Sequence, residues 1–211
     1  KQIAIDRHVD GIVTAQMENP LRLMARLAEE LGFIFNSLEI IETCRNKYLM
    51  KQAFLKNGIP CANGMLFNRE ERPTENLLSE KNLFFPLIVK PVDSHSSRGV
   101  CKVDGFSDLL RFIPQAIEYS TTGDYLVEEF LDGPEYSVET ITFNGKTSII
   151  QFTEKRITNY PYTVELGHIQ PANLSVDVKT DMESLVLAAV EALGINNSVA
   201  HAEVKVTEAG I

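Results

Sequence analysis

Residues 85–100 read FPLIVKPVDSHSSRGV: an apolar run that ends at Lys90, then a polar loop and a glycine. The apolar run is typical of a buried strand, and GVCKV at residues 99–103 predicts a second strand after the loop. The segment therefore predicts a hairpin whose loop offers main-chain N–H groups and hydroxyls to phosphate oxygens, with positive charge from Lys90 and Arg98. A surface hairpin with a flexible polar tip is the alternative, and the spacing alone leaves both open.

A second strand-like segment, YLVEEFL at residues 125–131, carries two consecutive acids, Glu128 and Glu129. A strand can present its carbonyl and N–H groups to the edge of a nucleobase much as it pairs with another strand. Glu135, which follows shortly after, could then accept hydrogen bonds from ribose hydroxyls. The alternative is an amphipathic strand with solvated acids, and the segment taken alone favours that alternative.

Two further groups of ionisable side chains have spacings that suit chemistry. Glu165 and His168 lie in a predicted loop, where such a pair can contact a metal, a phosphate or an amino group. In the strand-like segment at residues 200–205, alternation places His201 and Glu203 on one face, and a carboxylate there can bind Mg²⁺ through oxygen. The alternatives are a solvated loop histidine and the polar face of a half-buried strand.

Helix and turn signals elsewhere complete an alternation of helices with hairpins. Asn19 and Pro20 predict a helix start and Gly32 its end, and Asn144-Gly145 predicts a tight hairpin. Hairpins interleaved with helices imply an α+β protein with antiparallel sheets. The remaining predicted elements are a strand and loop at residues 3–16, a helix after Arg45 that closes at Asn57-Gly58, a strand at 64–68, a short helix within 69–82, and helices at 106–119 and 181–193.

Composition and charge narrow the classes of function. The 211 residues are 44% hydrophobic and 23% charged, values typical of a globular protein, and no apolar run is long enough to span a membrane. The formal net charge of −9 argues against nucleic acid, because phosphate neutralisation needs clustered cations. Cys44, Cys61 and Cys101 form no disulfide or zinc pattern, and the serine-hydrolase and P-loop motifs are missing from the sequence. We expect a cytoplasmic protein with reduced thiols and neither nucleic-acid nor membrane partners.

Taken in order, these segments resemble the ATP-grasp superfamily over residues 43–211. The resemblance starts at Asn46-Lys47, the helix that follows and Gly58-Ile59-Pro60, continues through residues 85–91, 93–99 and 127–131, and reaches Glu203. Each element is weak alone, whereas five in the right order are specific. The resemblance implies an α+β ATP-grasp fold of two lobes, with antiparallel sheets and flanking helices around ATP.

The resemblance also implies which residues hold the phosphates. Lys47 and Lys90 reach the nucleotide phosphates, and residues 93–99 correspond to a mobile loop that covers the triphosphate. Arg98 in this loop is then a catalytic cation. The other loop residues assigned to ATP are Ser94, Ser96, Ser97 and Gly99. Serines stand where many members of the superfamily have glycines.

The resemblance assigns the contacts with adenine, ribose and the metal to later segments of the sequence. By the resemblance, the Glu128 carbonyl and the Leu131 N–H face the adenine edge beside Phe130, and Glu135 holds the ribose. Glu203 matches the first of the metal-facing acids, which implies Mg²⁺ or Mn²⁺ as a cofactor beside ATP.

Within the superfamily, VELGH and AHAEVK are most similar to the carboxylate–amine ligases that join amino acids. This similarity implies ADP-forming activation of a carboxylate as an acyl phosphate, with Glu165 and His168 as catalytic residues near the acyl phosphate or the incoming amine. The expected partners are therefore small-molecule carboxylates and amines. Two alternatives stay open: carboxylation of bicarbonate, as in biotin carboxylases and carbamoyl-phosphate synthases, and a non-catalytic nucleotide-binding module.

The resemblance divides the chain into three parts. Residues 1–43 are similar to the end of an N-terminal α/β domain, 44–131 to the small lobe with its opening helix, and 132–211 to the start of the central lobe. The second metal-binding Glu and its partner Asn are expected shortly after Ile211, so we expect this chain to be an internal piece of a longer protein. Formation of a homodimer is left open.

Overall fold

The structure, a computed structural model, describes residues 1–14 and 19–211. Its first element is a short helix, α1 (Gln2–Asp6), so the strand predicted to begin at residue 3 is wrong over these residues. The last two residues of that predicted segment lie outside the described part of the chain. A side-chain hydrogen bond from Gln2 to Asp6 (2.8 Å), one helical turn apart, supports the helix.

Three longer helices follow: α2 (Leu21–Leu31), α3 (Leu38–Arg45) and α4 (Lys47–Lys56). Helix α2 ends at Gly32 as predicted, in the left-handed conformation (φ +71°), but Pro20 rather than Asn19 occupies its N-cap and no side chain caps it. Helix α3 was not predicted; the Ser37 hydroxyl at its start accepts a main-chain N–H. Helix α4 confirms the prediction after Arg45, and the Asn46 side chain caps it by accepting two main-chain N–H groups (3.0 and 3.1 Å).

The first sheet contains β1 (Gly64–Phe67), β2 (Leu87–Pro91), β3 (Cys101–Val103) and β4 (Tyr125–Glu129) in the order β1-β4-β2-β3. All three pairings are antiparallel, which confirms the predicted β2–β3 hairpin. The helices of this region are α5 (Glu75–Glu80) and α6 (Phe106–Tyr119), both close to the predicted ranges. Strands β2 and β4 are shorter than predicted.

One face of this sheet packs on a hydrophobic core. The core contains side chains of β2, β3 and β4 together with Leu109 and Ile113 of α6 and Leu78 of α5. Because residues alternate between faces along a strand, Lys90 of β2 and Glu128 of β4 project from the opposite face. The core therefore holds a sheet whose other face carries the charged residues singled out in the sequence.

The second sheet contains β5 (Glu135–Phe143), β6 (Lys146–Ile157), β7 (Glu165–Ile169) and β8 (Ser198–Lys205) in the order β7-β6-β5-β8. Asn144 and Gly145 both adopt positive φ (50° and 74°) between β5 and β6, as a tight hairpin turn requires, and confirm that prediction. Helix α7 (Val176–Ala192) starts five residues before its predicted start at residue 181. The α+β class with two antiparallel sheets and flanking helices is confirmed.

The chain divides into two compact units. Unit 1 comprises residues 1–59, 138–151 and 180–202, and unit 2 comprises residues 60–137, 152–179 and 203–211. Across the described residues, every helix is too short or too polar to cross a lipid bilayer. The three-part division made from the sequence stays a prediction.

Candidate functional site

An ion pair between Lys90 and Glu128 lies on the face of the first sheet that points away from the core. Lys90 Nζ donates to Glu128 Oε1 across the neighbouring strands β2 and β4. Glu128 is opposite Ile88 in the register, so its side chain lies diagonally across from Lys90 on the same face. The Lys90 side chain is 21% exposed and that of Glu128 is 7% exposed, so Glu128 orients an ammonium group that still reaches solvent.

The end of β4 has a main-chain pattern that bears on the expected adenine contacts. The Phe130 N–H donates to the Pro86 carbonyl (3.3 Å) on the β2 side, whereas the Glu129 N–H donates to the Asn63 carbonyl (2.9 Å) on the other side. By alternation, the Glu128 carbonyl points toward β2 inside the sheet, like the N–H of Phe130. This direction disagrees with the expected contact between the Glu128 carbonyl and an adenine edge.

Glu129 is better oriented for that contact. The Asn63 N–H, the donor that a continued ladder would direct at the Glu129 carbonyl, instead donates to the Glu129 side chain (2.6 Å). Leu131 follows at the same strand parity as Glu129, so its N–H and the Glu129 carbonyl point to the same side. These two groups form a donor–acceptor pair suited to the edge of a base.

Aromatic rings and two lysines surround Phe130. The rings of Phe130 and Tyr160 pack edge to face with centroids 5.0 Å apart. Lys102 Nζ lies 5.0 Å from the Phe130 centroid and 5.3 Å from that of Tyr160, and Lys205 Nζ lies 5.7 Å from the Phe130 centroid. This cluster connects the first sheet to Glu135, because Lys205 Nζ also lies 3.8 Å from a Glu135 oxygen.

Lys155 is the centre of the charged cluster on the second sheet. Its ammonium contacts Oε1 of Glu135 (2.6 Å), of Glu165 (2.7 Å) and of Glu203. An ammonium has three N–H donors, and three carboxylates accept them here. The four residues come from four different strands, β6, β5, β7 and β8. One side chain that is 2% exposed therefore brings together three acids that are far apart in the sequence.

The proximity of these charges shifts their ionisation in opposite directions. Burial by itself lowers the pKa of Lys155, but attraction to Glu203 and the hydrogen bonds to all three carboxylates outweigh it, so the net pKa lies above the ordinary value. The hydrogen bond from Lys155 holds the pKa of Glu165 below its ordinary value against the opposing effect of burial. Both groups are therefore charged at neutral pH.

Glu165 and His168 lie on β7 and not in the loop predicted from the sequence, because β7 pairs antiparallel with β6. His168 is opposite Lys155, and Glu165 is opposite Ile157, with a register shift between these two pairs. The shift leaves Leu166 as an extra residue, a β-bulge. As a result, Glu165 and His168 share one face, with Oε2 and Nε2 3.4 Å apart.

The loop between β2 and β3 adopts a strained conformation. We call residues 94–98 the serine loop. Ser96 and Ser97 have positive φ (58° and 54°), which is uncommon for residues with a side chain. The Arg98 N–H donates to the His95 carbonyl (3.4 Å), which closes a turn that directs several polar groups outward. Arg98 and Ser96 are exposed.

Most of the residues singled out in the sequence fall into three groups, and Lys47 lies apart from them in the chain's other unit. The structure brings Lys90 together with Glu128, and Glu135 with Glu165, Glu203 and His168. Ser94, Ser96, Ser97, Arg98 and Gly99 lie in or beside the serine loop, within the same unit 2. Lys47 is the first residue of α4 and belongs to unit 1.

Sequence reasoning missed Lys155, Lys102 and Tyr160. The one sequence signal for Lys155 was a lysine amid strand-like alternation. It did not stand out because the acids that contact it are distant in the sequence: Glu165 is ten residues away, and Glu135 and Glu203 are 20 or more residues away.

Within the described ranges, no three His, Cys, Asp or Glu side chains are arranged to hold a metal ion. The three glutamates of the second sheet are directed at an ammonium, which already supplies a positive charge between them. The residues present therefore do not form a complete site for Mg²⁺, although Glu203 offers one carboxylate of the hard-oxygen type that Mg²⁺ prefers. Burial raises the pKa of the Cys44 and Cys101 thiols to about 11, which does not favour a thiolate nucleophile.

A family model described as "ATP-grasp domain" matches residues 83–211, more than half of the chain. The match includes both sheets from β2 onward and every site residue named above except Lys47 and Asn63.

Curated relatives and solved structures agree with this match. Dapdiamide A synthase of Enterobacter agglomerans is 26% identical over 94% of this chain, and a D-alanine–D-alanine ligase of Natranaerobius thermophilus is 32% identical over 70% of it. The crystal structure of an L-amino acid ligase from Bacillus licheniformis superposes with a TM-score of 0.81 at 26% identity and covers 99% of this chain. The chain spans about half the length of these relatives: 48%, 43% and 48%.

Proposed function

Because this chain belongs to the ATP-grasp domain family, we propose that the protein containing it is a ligase that joins a carboxylate to an amine with ATP, releasing ADP and phosphate. The substrates we propose are amino acids, because the relatives include proteins named as amino-acid ligases. The proposal concerns the whole protein that contains this chain, since the chain spans about half the length of the relatives.

The observation that carries the proposal is the arrangement around Lys155. The three carboxylates that the family resemblance assigns to ribose, amine and metal, Glu135, Glu165 and Glu203, all contact this one ammonium. A nucleotide and an amine that bind to these acids would therefore lie within a few ångströms of each other. Holding two reactants in this way is a major source of rate acceleration in group transfer.

In the proposed complex, the first sheet binds the nucleotide. Lys90, oriented by Glu128, neutralises the α- and β-phosphates. The serine loop donates main-chain N–H groups and hydroxyls to the phosphates, and Arg98 stabilises the charge on the transferred phosphoryl group. The adenine edge forms hydrogen bonds with the Glu129 carbonyl and the Leu131 N–H, and not with the Glu128 carbonyl.

The reaction proceeds in two balanced steps. A substrate carboxylate oxygen attacks the γ-phosphorus, and the bond from the γ-phosphorus to the β-phosphate oxygen breaks. The products of this step are an acyl phosphate and ADP. The amine nitrogen then attacks the acyl carbon, the carbon–oxygen bond to phosphate breaks, and the nitrogen loses a proton. Glu165, ionised at neutral pH because Lys155 lowers its pKa, binds the substrate ammonium, which loses one proton to solvent to become the attacking amine. His168 beside Glu165 accepts the second proton, which the nitrogen loses after the attack. Mg²⁺ or Mn²⁺ would accompany ATP in this proposal; Glu203 would be one of its ligands, and the metal would supply charge neutralisation.

The test is ADP release by the full-length protein with ATP and Mg²⁺, against a panel of amino acids and against bicarbonate. ADP release that requires an amino acid, together with an amide product seen by mass spectrometry, supports the proposal. Release with bicarbonate alone would move the protein to the carboxylases. ATP binding without release under any of these conditions would contradict catalysis and favour a nucleotide-binding module.

A further inference from the structure

The two ends of the serine loop contact the same short segment, residues 119–124, which leads from the end of α6 into β4. At the first end, one oxygen of Asp93, Oδ1, accepts hydrogen bonds from the Ser120 hydroxyl (3.0 Å) and from the Thr121 N–H (3.0 Å). The Val92 N–H donates to the Asp124 carbonyl (3.3 Å). The start of the loop is therefore tied by side-chain and main-chain bonds.

At the far end, Gly99 packs against the last turn of α6. Gly99 is buried and has φ +73°, a conformation that side chains disfavour. A Cβ at this position would lie 3.1 Å from the Tyr119 Cβ and 3.2 Å from the Gln115 carbonyl oxygen. The close packing fixes the point at which the chain leaves the serine loop for β3.

The segment that holds both ends is itself rigidly bonded. The Ser120 hydroxyl, in a residue that is 8% exposed, accepts the Gly123 N–H (3.1 Å). Thr122 Oγ1 donates to Asp124 Oδ2 (2.9 Å), and Arg69 donates to the Thr122 carbonyl (3.2 Å). Residues 119–124 therefore form a firm base, and the five residues between Asp93 and Gly99 form the part that can rearrange.

We propose that Asp93 is a positioning residue, which holds the root of the serine loop on residues 120 and 121 so that the loop meets the nucleotide phosphates in one geometry. The inference rests on the proposed function, because it takes the triphosphate as the ligand of the loop. An unanchored loop must lose more conformational entropy when it closes on a ligand, and this loss weakens binding. A carboxylate that contacted the phosphates directly would repel them. Asp93 instead directs Oδ1 at Ser120 and Thr121.

The test compares three variants of the full-length protein. Asp93→Ala removes the anchor, and Asp93→Asn keeps an oxygen that accepts both hydrogen bonds. Ser120→Ala removes one donor to Asp93 while the Thr121 N–H remains, and it also removes the acceptor of the Gly123 N–H. Trypsin cleaves after arginine, so it can cleave the Arg98–Gly99 bond. The cleavage rate at this bond reports loop mobility in the native protein, and mass spectrometry measures it. Urea unfolding of each variant and the KM for ATP complete the set.

We expect Asp93→Ala to raise the cleavage rate at Arg98 and the KM for ATP each by about tenfold, as is reasonable for lost hydrogen bonds to a charged group. Asp93→Asn should stay within about twofold of the wild type, and Ser120→Ala should lie between the two. A wild-type cleavage rate in Asp93→Ala overturns the inference even if ATP protects the loop. If ATP neither binds nor slows cleavage at Arg98 in the wild type and in Asp93→Ala, the proposed function fails. The cleavage rates measured without ATP still test whether Asp93 anchors the loop.

Discussion

Glu165 and His168 share one face of β7 although their positions are three apart, an odd spacing that in a regular strand places side chains on opposite faces. The bulge at Leu166 supplies the extra residue that restores the shared face. It also brings Glu165 to the side of the sheet on which Lys155 lies, where the two side chains are 2.7 Å apart.

We predict that exchanging the two residues at the bulge, in the double variant Glu165→Leu with Leu166→Glu, lowers amine-dependent ADP release by about 100-fold, the order expected for a misplaced catalytic group. The composition is unchanged, but the carboxylate moves to a position whose side chain is 70% exposed. Deletion of Leu166 is the matched control: it leaves Glu165 opposite Ile157 in a regular ladder, and we expect activity within about tenfold of the wild type. Full activity in the exchange variant would show that the bulge has no role in placing the carboxylate.

Replacing Lys90 by Ala should raise the Kd for ATP by about 30-fold or more, because a charge-assisted contact to phosphate is lost. It should also lower the free energy of unfolding by about 2 kcal/mol, since the nearly buried Glu128 carboxylate loses an ion-pair partner. Adding Glu128→Gln should recover stability but not affinity. Calorimetric titration with ATP and urea unfolding measure the two effects separately.

Lys146→Ala is the control for overall charge, since it removes one cation from the exposed start of β6. Unchanged ATP affinity in Lys90→Ala would remove this lysine from the nucleotide site.

Replacing Lys155 by Met should destabilise the chain by about 3 kcal/mol at pH 8, because three carboxylates are left without their shared ammonium. In the wild type, the lowered pKa of Glu165 gives stability that is complete above the ordinary value of 4.5 and is lost as the pH falls through the lower, folded-state pKa. In the variant, Lys155 no longer lowers the pKa of Glu165, whereas the nearby Glu203 carboxylate still raises it, so Glu165 takes up a proton at higher pH than in the wild type and the repulsion is relieved.

The difference in stability between wild type and Lys155→Met should therefore shrink from pH 8 to pH 5. Urea unfolding at both pH values measures it, and Glu165→Gln added to Lys155→Met should recover part of the loss at pH 8. An equal loss of stability at both pH values would mean that packing, and not charge, accounts for the effect.

Gly133 and Gly145 offer a matched pair of glycine substitutions. A Cβ on Gly133 would lie 2.0 Å from the Val206 carbonyl oxygen, whereas a Cβ on Gly145 meets no atom within 4 Å. Both have positive φ, 155° and 74°. We expect Gly133→Ala to cost about 3 kcal/mol or more in unfolding free energy, and Gly145→Ala about 1 kcal/mol, from backbone strain alone. Equal losses in urea unfolding would show that Val206, the residue after β8, does not lie as close to Gly133 as the structure has it.

Much of the fold followed from local signals in the sequence. The Asn144-Gly145 turn, the apolar run before Lys90 and the helical spacing of residues 106–119 each depend on residues next to one another, and all three were confirmed. Helix α3 was missed because it is only eight residues long and its cap, Ser37, was not recognised as a start signal. The predicted first strand failed because no strand pairs with it among the described residues, and a helical turn satisfies its main chain locally.

The candidate site was harder to predict because it depends on register. Glu165 and His168 were recognised as a pair, but the strand and the bulge that place them follow from pairing with β6, which no local pattern reveals. Lys155 was missed for the same reason, since its partners come from other strands. The expected contact between the Glu128 carbonyl and adenine could not be checked from local sequence, because it depends on which side of β4 each main-chain group faces, and the bonds to Asn63 and Pro86 decide that side.

The contacts of Lys155 also affect when the site can form during folding. Glu203 lies on β8, which comes last of the strands along the chain, so the cluster stays incomplete until that strand has joined β5. A chain that has been synthesised or folded up to β7 holds the lysine and two of its acids but lacks the third. Under the proposed function, nucleotide affinity should then report that the second sheet has fully assembled.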